Sequence, residues 1–136
     1  MAGNVFGYDI YMISEEGFCN VVENGKVIGF QLLMRLANYR GYILSQIEDI
    51  KINVDGLQIA REDISLRLGD RSYTLDEMAD VVDERWEISQ TAIVTCLLDD
   101  GLKPGVHEIK AEQHIRASYI PITAVSSVSK QLTLTA

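Results

Sequence analysis

The sequence predicts an all-β protein: an antiparallel β-sandwich of roughly seven to nine strands with one short helix over about residues 74–84. Three observations carry this prediction. Apolar residues recur with a period of two in most apolar segments, as in Phe30, Leu32, Met34 and Leu36. Tight-turn signals, among them Asn24-Gly25, Asp55-Gly56 and Gly69-Asp70, separate those segments. One segment shows the helical period instead. An eight-stranded barrel of the cupin or lipocalin kind is the alternative reading of the same pattern. The 136 residues suffice for a single domain, 1–136, with a core of its own, and no internal repeat or linker divides them.

Taken in order, residues 1–17 carry scattered apolar side chains, of which Tyr8, Ile10 and Met12 alternate. They read as an edge strand or as an arm that packs on a partner. Phe18 to Glu23 is a short strand, and Asn24-Gly25 turns it into a long one. The stretch from Gly29 to Ile59 reads as the spine of the sheet: two long strands around an irregular loop, Ala37 to Leu44, then a hairpin at Asp55-Gly56. Its outward row faces solvent or a second protein surface. Arg61-Glu62-Asp63 breaks the pattern, and Ile64, Leu66 and Leu68 resume it before Gly69-Asp70.

The helix prediction rests on Thr74 and Glu77, spaced as a capping box, with Tyr73 and Met78 at the staple positions. Leu75, Met78, Ala79 and Val82 follow at i, i+3, i+4 and i+7. A strand is expected from Thr91 to Leu98, turned at Asp99-Asp100-Gly101. The last long strand, Val106 to Tyr119, puts His107, Ile109, Ala111, Gln113 and Ile115 on one face and Glu108, Lys110, Glu112, His114 and Arg116 on the other. Pro121 ends its ladder because it has no N–H to donate. The tail, residues 122–136, is a final edge strand or a second partner-packing arm.

Twelve basic residues stand against twenty acidic ones, a net charge of −8. That balance repels phosphate backbones and anionic lipid, and no Lys/Arg cluster offsets it, so neither nucleic acid nor membrane is an expected partner. No apolar run is long enough to span a bilayer and no basic n-region opens the chain, which points to the cytoplasm. Cys19 and Cys96 are isolated in apolar strand-like runs and are expected to be free, buried thiols.

Chemistry is hard to find in the residues. His107 and His114 are seven apart on one strand, an odd separation that places them on opposite faces, so they cannot share a metal ion there. One packed and one solvated histidine is the expected outcome. No serine or cysteine has the neighbours of an activated nucleophile. The carboxylates of 76–87 read as a solvated helix face and Asp99-Asp100 as turn chemistry, without EF-hand spacing. No catalytic and no metal-ligating residue is therefore assigned. Tyr39, Arg40 and Tyr42 in the loop, with Trp86 beside Arg85, are the candidate partner-interface residues, since tyrosine, tryptophan and arginine are enriched where interfaces concentrate their binding energy. Two other uses compete. The aromatic rings could fold back onto the core, or they could stack on a sugar in an independent carbohydrate-binding module.

The ordered stretches GFQLLMRLANYRGYILSQIEDIKINVDG, REDISLRLGDRSYTLDEM, ERWEI and GLKPGVHEIKAEQHIRASYIP resemble the small β subunit of bacterial C-glycoside deglycosidases over roughly residues 29 to 121. These are structural strands and turns, not a catalytic signature. The resemblance implies a heteromeric lyase that cleaves the C–C bond between a 3-oxo-glucosyl group and a flavonoid-type aglycone. It implies that a TIM-barrel α subunit carries the divalent metal, Mn2+ or Mg2+, and the acid–base residues. This chain would then be the accessory partner, inactive alone and without a cofactor of its own.

Overall fold

The computed structural model describes residues 12–36, 41–116 and 123–135. It is an open all-β sandwich. Strands β1 (Cys19–Glu23), β2 (Lys26–Met34), β9 (Ala92–Leu97), β6 (Ile64–Leu68) and β7 (Arg71–Thr74) form a five-stranded sheet in the order β1-β2-β9-β6-β7. A second sheet has the order β11-β10-β4-β5, from β11 (Thr123–Leu134), β10 (Gly105–Arg116), β4 (Ile47–Val54) and β5 (Leu57–Gln58). A two-stranded ribbon pairs β3 (Tyr42–Ile43) with β8 (Arg85–Trp86). Eight of these strands have four or more residues, within the expected seven to nine; the other three are two-residue pieces. The sheets do not close on themselves, so the barrel alternative is set aside.

The period-two rows become the core. Phe30, Leu32 and Met34 of β2 face Ile50, Ile52 and Val54 of β4 and Ile109, Ala111 and Ile115 of β10 within one buried cluster. Gln113 is the polar member of that inward row on β10. Its side-chain amide donates to the Arg35 carbonyl at 2.7 Å, tying β10 to the end of β2 across the sandwich.

Turn chemistry sets the register. Asn24 (φ 52°) with Gly25 (φ 77°) and Asp55 (φ 51°) with Gly56 (φ 90°) hold two consecutive residues at positive φ, which matches the twist of the flanking strands. One glycine inside β2 has a different reason. A Cβ on Gly29 would lie 2.0 Å from the Cys96 carbonyl oxygen, so only glycine lets β2 and β9 approach there. Beside it Val21 pairs Gly29 but Val22 pairs Val27, which makes Ile28 the extra residue of a bulge.

Three expectations are corrected. The spine strands β2 and β4 lie in different sheets, so the segment between them crosses from one layer to the other. The helix is a single turn, Leu75–Met78, although its capping box forms as predicted: Glu77 N–H donates to Thr74 Oγ1 (3.2 Å) and Thr74 N–H to Glu77 Oε1 (2.7 Å). It stops because Ala79, Asp80 and Val81 bond three residues back, after which the Val81 and Glu84 carbonyls accept from Ser45 and Leu44. Val82 is consequently 71% exposed instead of joining the apolar stripe. Finally, Cys96 is buried but Cys19 is exposed, because it lies on the outward row of β1. The C-terminal tail is an edge strand, paired with β10 from Thr123 to Leu134.

Candidate partner surface

Of the four residues singled out in the sequence, Tyr39 and Arg40 lie outside the described residues. Tyr42 and Trp86 are cross-strand partners in the β3–β8 ribbon and are buried, at 5% and 0% exposure. The Trp86 indole N–H donates to the Gln90 carbonyl at 2.9 Å, which satisfies its polar edge inside the chain. Neither ring offers a face for stacking a sugar. Both anchor the foot of the loop instead. Gly41 packs so closely that a Cβ would come within 2.1 Å of Glu87 Oε1, and the Arg85 guanidinium donates to the Gly41 carbonyl at 3.1 Å.

Several titratable groups are occupied in structural bonds. The His107 ring places Nδ1 2.6 Å from Asp55 Oδ2 and Nε2 2.6 Å from the Lys103 carbonyl. Two acceptors, one on each nitrogen, favour the doubly protonated ring. The Asp55 carboxylate, then the Lys103 carbonyl, raise the His107 pKa, and His107, then the Glu108 amide, lower that of Asp55. His114 Nε2 lies 3.0 Å from Glu112 Oε1 on the outward face of β10. The Thr123 hydroxyl, then the Arg116 guanidinium, hold Glu48 below the usual carboxylate range. Burial pushes the Cys96 thiol up to about 12, with the Asp63 charge adding to it. Tyr73 donates to Glu84 at 2.5 Å and closes the segment that follows the helix. Among the described residues no three His, Cys, Asp or Glu side chains converge as metal ligands would.

What distinguishes the two layers is their outward faces. On the four-stranded sheet, β10 turns Glu108, Lys110, Glu112, His114 and Arg116 outward, and Glu112 and His114 stand opposite Lys51 and Asp49 of β4. This is an ordinary solvated face, with Glu112 and Lys51 as opposite charges across strands. The five-stranded sheet is different. Its outward rows run Cys19–Gln31–Thr95–Ser65–Thr74, Leu33–Ile93–Arg67–Ser72 and Val21–Gly29–Leu97. Across these rows Arg67 is the sole charge. Ile28 joins Val21, Ile93 and Leu97 around a shallow depression of about 320 Å³ over the middle of the face, lined also by Glu23 and Arg67, and Leu97 is 45% exposed. The interface residues proposed from sequence did not include this face. Its signal was present in the outward parity of Gln31, Leu33, Ile93 and Thr95, set beside the charged outward row of β10.

Comparison with known proteins then bears on what such a face is for. Residues 8–119 match the protein family described as C-glycoside deglycosidase beta subunit. The chain is similar to the C-glycoside deglycosidase beta subunit of Eubacterium cellulosolvens, with 32% identity over 111 residues, 81% of this chain and 76% of that protein. It is also similar to the 3'-dehydrocarminate deglycosidase beta subunit of a Microbacterium species, with 30% identity over 94 residues, 69% of this chain and 70% of that protein.

Proposed function

The chain belongs to the C-glycoside deglycosidase beta subunit family, and from that premise we propose that it is the non-catalytic accessory subunit of a heteromeric carbon–carbon lyase. The complex cleaves the bond between a 3-oxo-glucosyl group and a flavonoid-type aglycone. In this reading a TIM-barrel partner binds most of the substrate and carries the divalent metal, Mn2+ or Mg2+. The oxidised C3 acidifies the neighbouring C–H, a base of the partner takes the C2 proton, a C1–C2 double bond forms, and the aglycone departs with the C–C electron pair, its carbon taking up a proton. No donor set among this chain's described residues fits the metal, so no step is assigned to it here.

The observation that carries the proposal is the match over residues 8–119 to proteins named as beta subunits. A subunit name implies a partner, and outward rows with a single charge, Arg67, in a chain of net charge −8 are consistent with one. The same reading puts the complex in the cytoplasm; no helix among the described residues is long and apolar enough to cross a membrane. Tyr39 and Arg40 are proposed to contribute to the contact with the partner.

The test is reconstitution. The purified chain, the purified TIM-barrel subunit and the co-expressed pair are each given a 3-oxo-C-glucoside, and released aglycone is measured. Turnover by the pair with none by this chain alone is expected. Turnover by this chain alone would overturn the accessory role. In the same assay, replacing Tyr39 and Arg40 by Ala should weaken assembly while this chain stays folded.

A further inference from the structure

We propose that the outward face of the five-stranded sheet, centred on the Gln31–Thr95–Ser65 row, is the surface covered by the catalytic subunit, which meets it with an uncharged, largely apolar face. This deepens the accessory-subunit reading and rests on it.

The argument begins from charge. A solvated sheet face in a chain with 32 charged side chains among 136 residues should carry several of them, as the outward face of β10 does. Three rows of the five-stranded sheet carry Arg67 alone. Depletion of charge at the centre, with polar and charged residues around it, is the anatomy of a protein–protein interface. The centre here is made of hydroxyl, amide and aliphatic side chains with Arg67 among them. Glu23 and Arg67, of opposite sign, are the charged residues of the depression, and Lys26, Asp63 and Asp99 stand around an adjoining cleft that shares Ile28 and Leu97.

Size fits the same occupant. Five strands about 4.8 Å apart and about six residues long present on the order of 400 Å². That is roughly half of the ~800 Å² each partner contributes to a standard interface. A standard contact centred on this face extends onto the adjoining surfaces. The relatives are named as one kind of subunit of a deglycosidase, so the other kind has first claim on the covered face.

The test uses the full chain with its TIM-barrel subunit. Thr95→Arg and Leu97→Glu place charge on the centre of the face, and Lys110→Glu on β10 is the control. Each is checked for folding by circular dichroism, and affinity for the catalytic subunit is measured by calorimetry. Hydrogen exchange of the wild-type complex supplies a readout that needs no variant. The expected result is at least tenfold weaker assembly for both face variants, less than twofold change for Lys110→Glu, and new protection over residues 19–33 and 92–97. Wild-type affinity in the face variants, with no new protection there, would overturn the proposal and leave the accessory role standing. A lone chain that dimerises through this face, with partner binding untouched by the variants, would assign it to a second copy and also overturn it. Failure of the wild-type chain to assemble at all would overturn both readings.

Discussion

His107 and Asp55 form an ion pair at 2.6 Å that pins the β4–β5 turn to the start of β10, while the other ring nitrogen holds the Lys103 carbonyl at the same distance. The Glu108 amide donates to the second Asp55 oxygen at 2.8 Å. Two segments distant in sequence, the β4–β5 turn and the approach to β10, thus meet on one histidine ring. The side chain of His107 is 12% exposed and that of Asp55 49%.

The pair makes stability depend on pH. The His107 pKa is raised above 6.5, so its contribution is full below 6.5 and is lost as pH rises through the folded value. The Asp55 pKa is lowered below 3.8, so its contribution is full above 3.8 and is lost as pH falls through the folded value. The pair therefore stabilises most between 3.8 and 6.5. With Asp55 half exposed, the effect is on the order of 1 kcal/mol. Urea midpoints of the wild type should fall from pH 6 to pH 9 more than those of His107→Gln; parallel curves would show that the pair contributes nothing.

Trp86→Ala should lower stability by roughly 3–5 kcal/mol, the cost of emptying a fully buried indole site. Trp86→Phe should cost less, losing the bond to Gln90 but little volume. Denaturant titration of the lone chain gives the answer. A Trp86→Ala chain as stable as wild type, yet unable to assemble, would move the ring back to the interface.

The two thiols should separate cleanly in a disulfide-exchange titration. Cys19 is exposed and should react at once in the native chain, whereas Cys96, buried and with its pKa near 12, should react only after urea is added. Two fast thiols in the native state would contradict the packing of β9.

Val82→Glu should change stability by less than about 0.5 kcal/mol, because the position is solvated. Met78→Glu, four residues earlier and fully buried, should unfold the chain. Equal, large losses at both positions would restore the longer helix. Thermal melts suffice.

These last positions show where the sequence was legible and where it was not. Strand alternation and glycine turns act locally, so Phe30, Leu32 and Met34, the Asn24-Gly25 and Asp55-Gly56 turns, and the Thr74–Glu77 cap could all be read in place. Helix length could not, because it is set by a remote segment: Leu44 and Ser45 take the carbonyls of Glu84 and Val81. Sheet membership was equally invisible. The period of β2 and β4 states which side chains are buried but not that the two strands belong to opposite layers. The candidate surface has the same difficulty, since Gln31, Thr95 and Ser65 become one row only after three strands from distant parts of the chain have paired.

That pairing has a consequence for how the protein is made. β2 finds its central neighbour in β9, and β4 finds its own in β10, so strands from the early half of the chain wait on strands from the late half in both layers. While residues beyond about 92 are still in the ribosome, a nascent chain can hold only hairpins such as β1–β2 and β6–β7, each with an uncovered apolar side. Both layers then close nearly together, at the pace of long-range β pairing, in milliseconds to seconds. Truncation near the middle leaves no half-sized folding unit, because it removes β9 from one layer and β10 from the other.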